Sequence, residues 1–358
     1  MSAADRRDRL RPALAATGVD HLLVTDPVNV RYLSGFTGSA GQVLLGGTAA
    51  DDRLITDDRY EERAVREAPD LALELSRDPV GVALGQTRSH LGVEAAHVSW
   101  HAGERLRERA ATVGVEVVPT TELVEVLRAV KDDREVASLA AACALTVEVL
   151  EELFADVVGV GRTERELARW LERRFVDRGA DGEAFPAIVA AGPNGAVPHH
   201  APGDRPLAVG DLLTVDCGAR VDGYHADCTR TVAVGDAPDE LAEVHALVER
   251  AQAAGRAAAV AGVTGGEVDA ATRAVIAEAG YGERFLHGTG HGVGLQVHEA
   301  PAVAREARAT LRAGTALTVE PGVYLPGTGG VRIEDTLVVT ADGAPRVLTD
   351  IPRTLRVL

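Results

Sequence analysis

The chain has 358 residues, 46% of them hydrophobic, which exceeds the usual size of one hydrophobic core and predicts one large and one smaller domain. Its 54 acidic residues outnumber its 37 basic residues and give a net charge of -17, which would repel a phosphate backbone and argues against a nucleic-acid partner. The charged start, MSAADRRDRLRP, the three cysteines and the lack of any apolar run of about 18 residues predict a cytoplasmic protein without a membrane span.

Short apolar strands alternate with helical segments in the first part of the chain. The strands are expected at 21–24, 42–45 and 53–56, and helical patterns cover 59–68 and 100–114. Such alternation predicts an α/β unit with a sheet that is at least partly parallel, or mixed.

A charged interruption, KDDRE, divides the helical stretch at 121–157 and indicates a domain junction. We therefore predict a first domain over 1–128 and a second over 129–358. The next predicted helix opens with Thr163 and carries Glu166 three residues later, which is the pattern of a capping box.

The second domain continues with strands broken by glycine and proline and with two helical stretches, at 239–262 and 267–280. One pair of strands precedes these helices and another pair follows them. This order predicts two similar halves that close around a sheet.

The first strand pair carries one aspartate on each strand, Asp216 and Asp227, with the turn sequence ARVDG between them. Antiparallel pairing would bring both carboxylates to one face, and such a buried acidic pair is costly unless a cation lies between the groups. Arg230 follows Asp227 by three residues, so strand alternation turns it to the opposite face and a metal ion becomes the expected cation. Either aspartate considered alone is better explained as the end of a strand or part of a turn.

The second strand pair repeats this pattern with Glu320 and Glu334, and His291 adds a nitrogen donor on a glycine-rich segment. Four carboxylates and one imidazole suit two divalent ions, with Mn²⁺ favoured and Co²⁺, Zn²⁺ or Fe²⁺ as alternatives. Two such ions, about 3.5–4 Å apart, could share a bridging hydroxide as the nucleophile, so the composition of the site predicts hydrolysis.

These five positions closely resemble, in order and spacing, the metal ligands of the pita-bread metallopeptidases, which include methionine aminopeptidase, aminopeptidase P and prolidase. The stretches AIVAAGPNGAVPHH, HGTGHGVGLQVHE, EPGVY and GVRIEDT are similar to the proline-peptidase branch. The resemblance implies an α/β (α+β) chain in which a smaller creatinase-like α/β domain precedes a catalytic pita-bread domain. It also implies homodimers or larger homo-oligomers.

The same resemblance implies roles for further residues. His199 and His298 would act in catalysis and contact the substrate, and Glu320 would shuttle a proton as well as bind metal. Of the remaining residues, His287 would line the pocket and Arg332 would neutralise the carboxylates, because it lies two residues before Glu334 on the same strand face. We also include Tyr224 in the substrate site, as a hydrogen-bonding group near the first ligand pair, with simple packing as the alternative.

The expected activity is removal of the amino-terminal residue from Xaa-Pro peptides, because proline fixes φ and lacks an amide proton, and a dedicated pocket is required. The FTGSAG sequence of the first domain favours an aminopeptidase that accepts longer peptides, and the alternative is a dipeptidase (prolidase). A creatinase-type hydrolase and a non-enzymatic binding module share this fold. Both are disfavoured because all five ligand positions are present.

Overall fold

The computed structural model describes residues 1–358, which divide into two compact units, Met1–Arg128 and Ala129–Leu358. None of the helices combines the length and the apolar character needed to cross a bilayer. All three cysteines are buried and none forms a disulfide.

The first unit contains a mixed sheet flanked by helices. Its strands are β1 (His21–Val24), β2 (Gly41–Gly46), β3 (Arg53–Thr56), β4 (Ala72–Leu75), β5 (His90–Glu94) and β6 (Glu116–Thr120). Its helices are α1 (Ala3–Thr17), α2 (Pro27–Ser34), α3 (Glu61–Glu67), α4 (Pro79–Gln86), α5 (Trp100–Thr112) and α6 (Glu125–Arg128). The strand order is β4-β3-β2-β1-β5-β6, with β1/β2 and β2/β3 antiparallel and the other pairs parallel, so the predicted mixed sheet is confirmed.

The second unit has four α-helices. They are α7 (Asp133–Glu152), α8 (Glu164–Asp177), α9 (Asp239–Ala258) and α10 (Gly265–Glu278). The predicted capping box at the start of α8 is present, with the Glu166 backbone N–H donating to the hydroxyl of Thr163 and the Thr163 N–H donating to the carboxylate of Glu166. These reciprocal bonds satisfy backbone donors that the first helical turn cannot satisfy itself.

Thirteen strands complete this unit. They are β7 (Gly182–Glu183), β8 (Ile188–Ala191), β9 (Leu212–Cys217), β10 (Ala219–Val221), β11 (Tyr224–His225), β12 (Cys228–Ala233), β13 (Gly290–Gly292), β14 (Glu299–Val303), β15 (Ala316–Val319), β16 (Gly322–Leu325), β17 (Gly329–Arg332), β18 (Asp335–Val338) and β19 (Arg346–Val347). They form sheets ordered β12-β9-β8, β14-β13-β15-β18-β19, β11-β10-β7 and β16-β17. Strands before and after α9 and α10 therefore supply different sheets, as the predicted two halves require.

The helices cover one face of these sheets. Leu167, Leu171 and Phe175 of α8 belong to the same buried cluster as Leu213 and Val215 of β9. Two further clusters join α9 to β16 and β17, and α10 to β15 and β18. Because side chains alternate along a strand, the residues between these core positions point away from the helices.

Three of the four predicted acidic ligands lie at breaks between strands, whereas the sequence pattern predicted them within continuous strands. Only Asp216 is inside a strand, and Asp227, Glu320 and Glu334 each immediately precede or follow one. The ladder is interrupted because backbone N–H groups bond outside their own hairpin. The Glu320 N–H donates to the Thr289 carbonyl, and the Glu334 N–H donates to the Thr229 carbonyl.

The surroundings of His245 on α9 indicate a structural role for this residue. It is 1% exposed, and its Nε2 lies 3.1 Å from the carbonyl oxygen of Thr231 on β12, so this nitrogen is the donor. Burial lowers the pKa of His245 to about 4, since desolvation disfavours the charged ring.

We predict that His245 makes the protein less stable in mild acid. Above a pH of about 6.5 the ring is neutral in both the folded and unfolded states, and its stabilising contribution is complete. Between pH 6.5 and pH 4 only the unfolded state takes up the proton, so the contribution is lost, amounting to about 3 kcal/mol. Urea unfolding of the wild type and of His245→Gln across this range should show a difference that shrinks as the pH falls. A constant difference would contradict the prediction.

Candidate metal and active site

Acidic residues from both strand pairs meet in the second unit beside one imidazole. Donor atoms of Asp227, His291 and Glu334 all lie within 4.8 Å of one another. The Nε2 atom of His291 is 3.2 Å from Glu320 Oε1 and 3.6 Å from Asp227 Oδ2. The structure therefore brings together residues that are more than 100 positions apart in the sequence.

The register of the hairpins produces this convergence. Asp216 pairs with Thr229 on β12, which places Asp227, two residues earlier than Thr229, diagonally across from Asp216 on the same face. In the second half, Val319 pairs with Asp335 and Gly322 with Arg332, so Glu320 and Glu334 lie opposite each other at the break between these pairs.

Two threonines hold the carboxylates and the imidazole in place. The Thr229 hydroxyl donates to Glu334 Oε2 at 2.7 Å and so ties the first strand pair to the second. The hydroxyl of Thr318 donates to Glu320 Oε1 at 3.2 Å and accepts the backbone N–H of His291 at 3.1 Å. His291 Nδ1 lies 3.1 Å from the Gly292 carbonyl, so Nδ1 is the donor in this contact, and the ring is held with Nε2 facing Glu320 and Asp227.

Arg332 provides a positive charge at the edge of this group. Its Nη2 donates to Asp216 Oδ2 at 2.8 Å, and its Nη1 donates to the Tyr324 hydroxyl at 3.0 Å. The Tyr324 hydroxyl is in turn 2.8 Å from His287 Nε2. A hydrogen-bonded chain thus links Asp216 to His287 through Arg332 and Tyr324.

His199 and His298 are exposed. The ring of His298 packs edge-on against that of His291, with 4.3 Å between the ring centres. Partial desolvation of the His298 ring, followed by the charge of His291, lowers the pKa of His298. The charge of His199 contributes to this lowering and to the lowering of the His287 pKa. His199, His287 and His298 therefore share the electrostatic surroundings of the carboxylate cluster.

The carboxylates strongly disfavour one another's charge. Burial raises the pKa of Asp227 well above its usual value, and the neighbouring charges of Glu334 and Asp216 raise it further. Burial also raises the pKa of Glu334, with added repulsion from Glu320 and Asp216. Arg332 opposes this effect at Asp216, but burial still leaves the Asp216 pKa above its usual range.

Two buried oxygens in this group, Asp216 Oδ1 and Glu334 Oε1, have no hydrogen-bond partner within the protein. Such atoms are rare in folded proteins, because losing water without a replacement partner costs about 1–3 kcal/mol. Both belong to acidic side chains whose other oxygen is held by a neighbour. Oxygen donors in this arrangement, together with one imidazole nitrogen, fit divalent cations.

Tyr224 forms a hydrogen bond with a helix of the second unit. Its side chain is buried, and its hydroxyl donates to Glu135 Oε1 on α7 at 3.0 Å. A phenol has one proton to donate, so this proton is directed toward α7 rather than toward a substrate. This contact with α7 favours the structural alternative for Tyr224, and its place in the substrate site stays a prediction.

Sequence reasoning overlooked Thr229, Thr318 and Tyr324. Thr229 lies two residues after Asp227, and Thr318 lies two residues before Glu320, so the same strand alternation that identified Arg332 would have identified both threonines. Tyr324 follows Glu320 by four residues within EPGVY and is buried. Its two partners come from other segments of the chain, and no local pattern predicts them.

Comparison with known families agrees with this architecture. The family model described as "Metallopeptidase family M24" matches residues 137–341, and "Creatinase/Prolidase N-terminal domain" matches residues 6–130. The chain belongs to metallopeptidase family M24. The predicted fold, an amino-terminal creatinase-like domain followed by a pita-bread domain, is confirmed, as is the proline-peptidase branch.

Individual relatives match over nearly their whole length. The uncharacterized peptidase YqhT of Bacillus subtilis is 39% identical, with 98% of this chain and 99% of the relative covered. Among solved structures, the Xaa-Pro dipeptidase from Bacillus anthracis has a TM-score of 0.95 at 37% identity and covers 100% of both chains. The X-Pro aminopeptidase from Thermotoga maritima has a TM-score of 0.88 at 34% identity, covering 98% and 99% of the two chains.

We predict that Mn²⁺ raises the melting temperature of the wild-type M24 protein and that a chelator reverses the effect, since a ligand that binds only the folded state stabilises it. Asp227→Asn keeps the size of the side chain but removes one charge from the cluster, so it should reduce this response. The measurement is calorimetry with added Mn²⁺ or chelator.

The matched control for this measurement is Asp211→Asn, which changes an aspartate that is also buried but pairs with Arg205. This variant should keep the full response to Mn²⁺. Equal responses of the wild type and Asp227→Asn would show that Asp227 does not bind the ion.

Proposed function

We propose that this chain is a metal-dependent exopeptidase that hydrolyses the Xaa-Pro bond at the amino terminus of short peptides. The observation that carries the proposal is the group of four carboxylates and one imidazole, three of them buried carboxylates, in which two oxygens have no protein partner. Exposed histidines beside this group would meet a peptide that approaches it.

Two divalent ions are proposed, with Mn²⁺ as the first candidate and Co²⁺, Zn²⁺ or Fe²⁺ as alternatives. Their proposed ligands are Asp216, Asp227, His291, Glu320 and Glu334. When bound, the ions would supply a Lewis acid that polarises the scissile carbonyl and lowers the pKa of water.

Glu320 is the proposed proton carrier. Its side chain is 17% exposed, compared with 6% for Asp227, so it is the more accessible of these two carboxylates. Burial raises the pKa of Glu320, but the hydrogen bond and charge of His291, together with the charges of His287 and Arg332, outweigh burial and leave the pKa below its usual value. An ionised Glu320 is in the state needed to accept a proton from the attacking water and to pass it to the leaving nitrogen.

The exposed histidines are proposed to bind and orient the peptide. His298 packs on His291, so a group that contacts His298 lies next to the proposed ligands. We propose that His199 and His298 donate hydrogen bonds to the substrate carbonyl as negative charge develops on its oxygen. His287 would line the pocket, and Tyr324 limits its movement by a hydrogen bond to Nε2.

Arg332 is proposed to keep Asp216 ionised and oriented. Its guanidinium is buried and bonds to Asp216, Tyr324 and Thr229, so it has a fixed position relative to both halves of the site. A planar guanidinium suits this role because it can serve several acceptors at once. In this position it balances part of the negative charge of the carboxylates.

We propose Xaa-Pro dipeptides as the first substrate class. The similarity to the Xaa-Pro dipeptidase from Bacillus anthracis over the whole of both chains supports this choice. The sequence favoured an aminopeptidase for longer peptides, and the similarity to the X-Pro aminopeptidase from Thermotoga maritima keeps it as the second candidate. A cytoplasmic location and a homo-oligomeric state remain predictions.

The test is hydrolysis of an Xaa-Pro dipeptide and of an Xaa-Pro-Xaa tripeptide by enzyme that has been stripped of metal and then titrated with Mn²⁺. We expect cleavage of the dipeptide to depend on Mn²⁺. A higher kcat/KM for the tripeptide than for the dipeptide would favour the aminopeptidase.

Two variants serve as controls in this assay. Asp227→Ala should abolish activity, and His199→Ala should lower kcat/KM by about 10²-fold because one hydrogen-bond donor to the developing oxyanion is lost. If neither peptide is cleaved while metal is bound, the proposed function is wrong.

A further inference from the structure

Two adjacent histidines, His199 and His200, have different surroundings. His199 is exposed and belongs to the proposed substrate site. His200 Nε2 lies 2.8 Å from Glu164 Oε2, and the Glu164 side chain is completely buried. An ionised carboxylate can only accept hydrogen bonds, so His200 Nε2 is the donor.

Glu164 receives four hydrogen bonds from one segment of the chain, residues 191–203. Oε1 accepts from the Ala191 backbone N–H at 2.8 Å and from Asn194 Nδ2 at 2.9 Å. Oε2 accepts from His200 Nε2 at 2.8 Å and from the Gly203 N–H at 3.0 Å. Burial raises the pKa of Glu164, but these donors together outweigh burial and hold the pKa below its usual value.

The 191–203 segment also contacts β17, the strand that precedes Glu334. The carbonyl of Pro198 accepts from Arg332 Nη1 at 3.3 Å. Gly330 of β17 lies so close that a Cβ added to it would be 2.1 Å from the carbonyl oxygen of Gly195. The segment is therefore held between Glu164 and β17, and His199 is on the part that is held.

We propose that Glu164 and His200 are positioning residues that fix His199 toward the substrate. This inference rests on the proposed function, because it takes His199 to contact the substrate. Glu164 begins α8, whose buried face packs against the core, so the anchor point is rigid. His200 would act only through His199, to which it is covalently adjacent.

The first test compares kcat/KM for the Xaa-Pro dipeptide among single variants. Glu164→Gln replaces one acceptor oxygen with an NH2 donor that faces other donors, and His200→Leu removes one donor to Glu164. Each variant should lower kcat/KM by about 10–100-fold, because His199 is no longer held in position. His200→Gln keeps an N–H donor and should restore most of the activity. The matched control is Glu166→Gln, which lies on the same helical turn and exchanges hydrogen bonds with Thr163 at the start of the helix. This variant should keep the wild-type kcat/KM.

A double variant distinguishes positioning from a general structural role. In a chain that already carries His199→Ala, the further change His200→Leu should cost little or no additional activity, because there is no imidazole left to position. A loss equal to that of His200→Leu alone would overturn the proposal. The same conclusion would follow if His200→Leu had wild-type activity.

Amide hydrogen exchange provides a measurement that needs no peptide substrate. Glu164→Gln should speed exchange within 191–203, and above all at Ala191 and Gly203, without a comparable change in α9 or α10. Unchanged exchange in this segment would overturn the anchor. If the segment loosens as expected while the wild-type enzyme cleaves neither peptide, the anchor stands, and it is the proposed function that has failed.

Discussion

Mutual repulsion among buried carboxylates is the constraint on which the rest of this unit depends. Asp216, Asp227 and Glu334 are almost fully buried, and burial raises the pKa of each. Neighbouring negative charges in a buried site are tolerated only where positive charge lies among them. Arg332 contacts Asp216, and His291 lies near Asp227 and Glu320, which leaves Glu334 without a cationic partner of its own. Divalent cations would supply the missing charge and would also coordinate the two oxygens that lack protein partners.

The fold meets this constraint by making each carboxylate's position depend on a second element. Glu334 is tied to β12 by Thr229, and Glu320 is tied to the His291 segment by Thr318 and by the Thr289 carbonyl. The strand breaks at Glu320 and Glu334 follow from these cross-links, because their N–H groups bond outside their hairpins. A regular ladder would leave the two halves of the site unconnected. The positions of Glu320 and Glu334 are therefore fixed by hydrogen bonds that interrupt the sheet at these two residues.

Hairpin pairing was sufficient to propose the four acidic ligands, because each pair of carboxylates lies on two paired strands. His291 was added as an imidazole on a glycine-rich segment. The role of Arg332 came from the family resemblance, supported by its position two residues before Glu334 on the same strand face. The capping box at Thr163 could also be predicted from the sequence, because its two partners are three residues apart. Contacts between segments that are distant in the chain could not be predicted from the sequence. Glu164 lies 27 to 39 residues from the groups that it binds, and Tyr224 reaches Glu135 across 89 residues. For such pairs the sequence shows the polar residue type but not which partner the packing of helices and sheets will bring to it.

The central claim is that this group of residues holds two divalent ions in each chain. The most direct measurement is the metal content of protein reconstituted with Mn²⁺ and freed of excess ion, determined by mass spectrometry against an accurate protein concentration. Our account predicts two ions per chain. A wild-type protein that is folded and retains no ion would contradict it, and a content of one would restrict the site to fewer ligands than the five that the structure brings together.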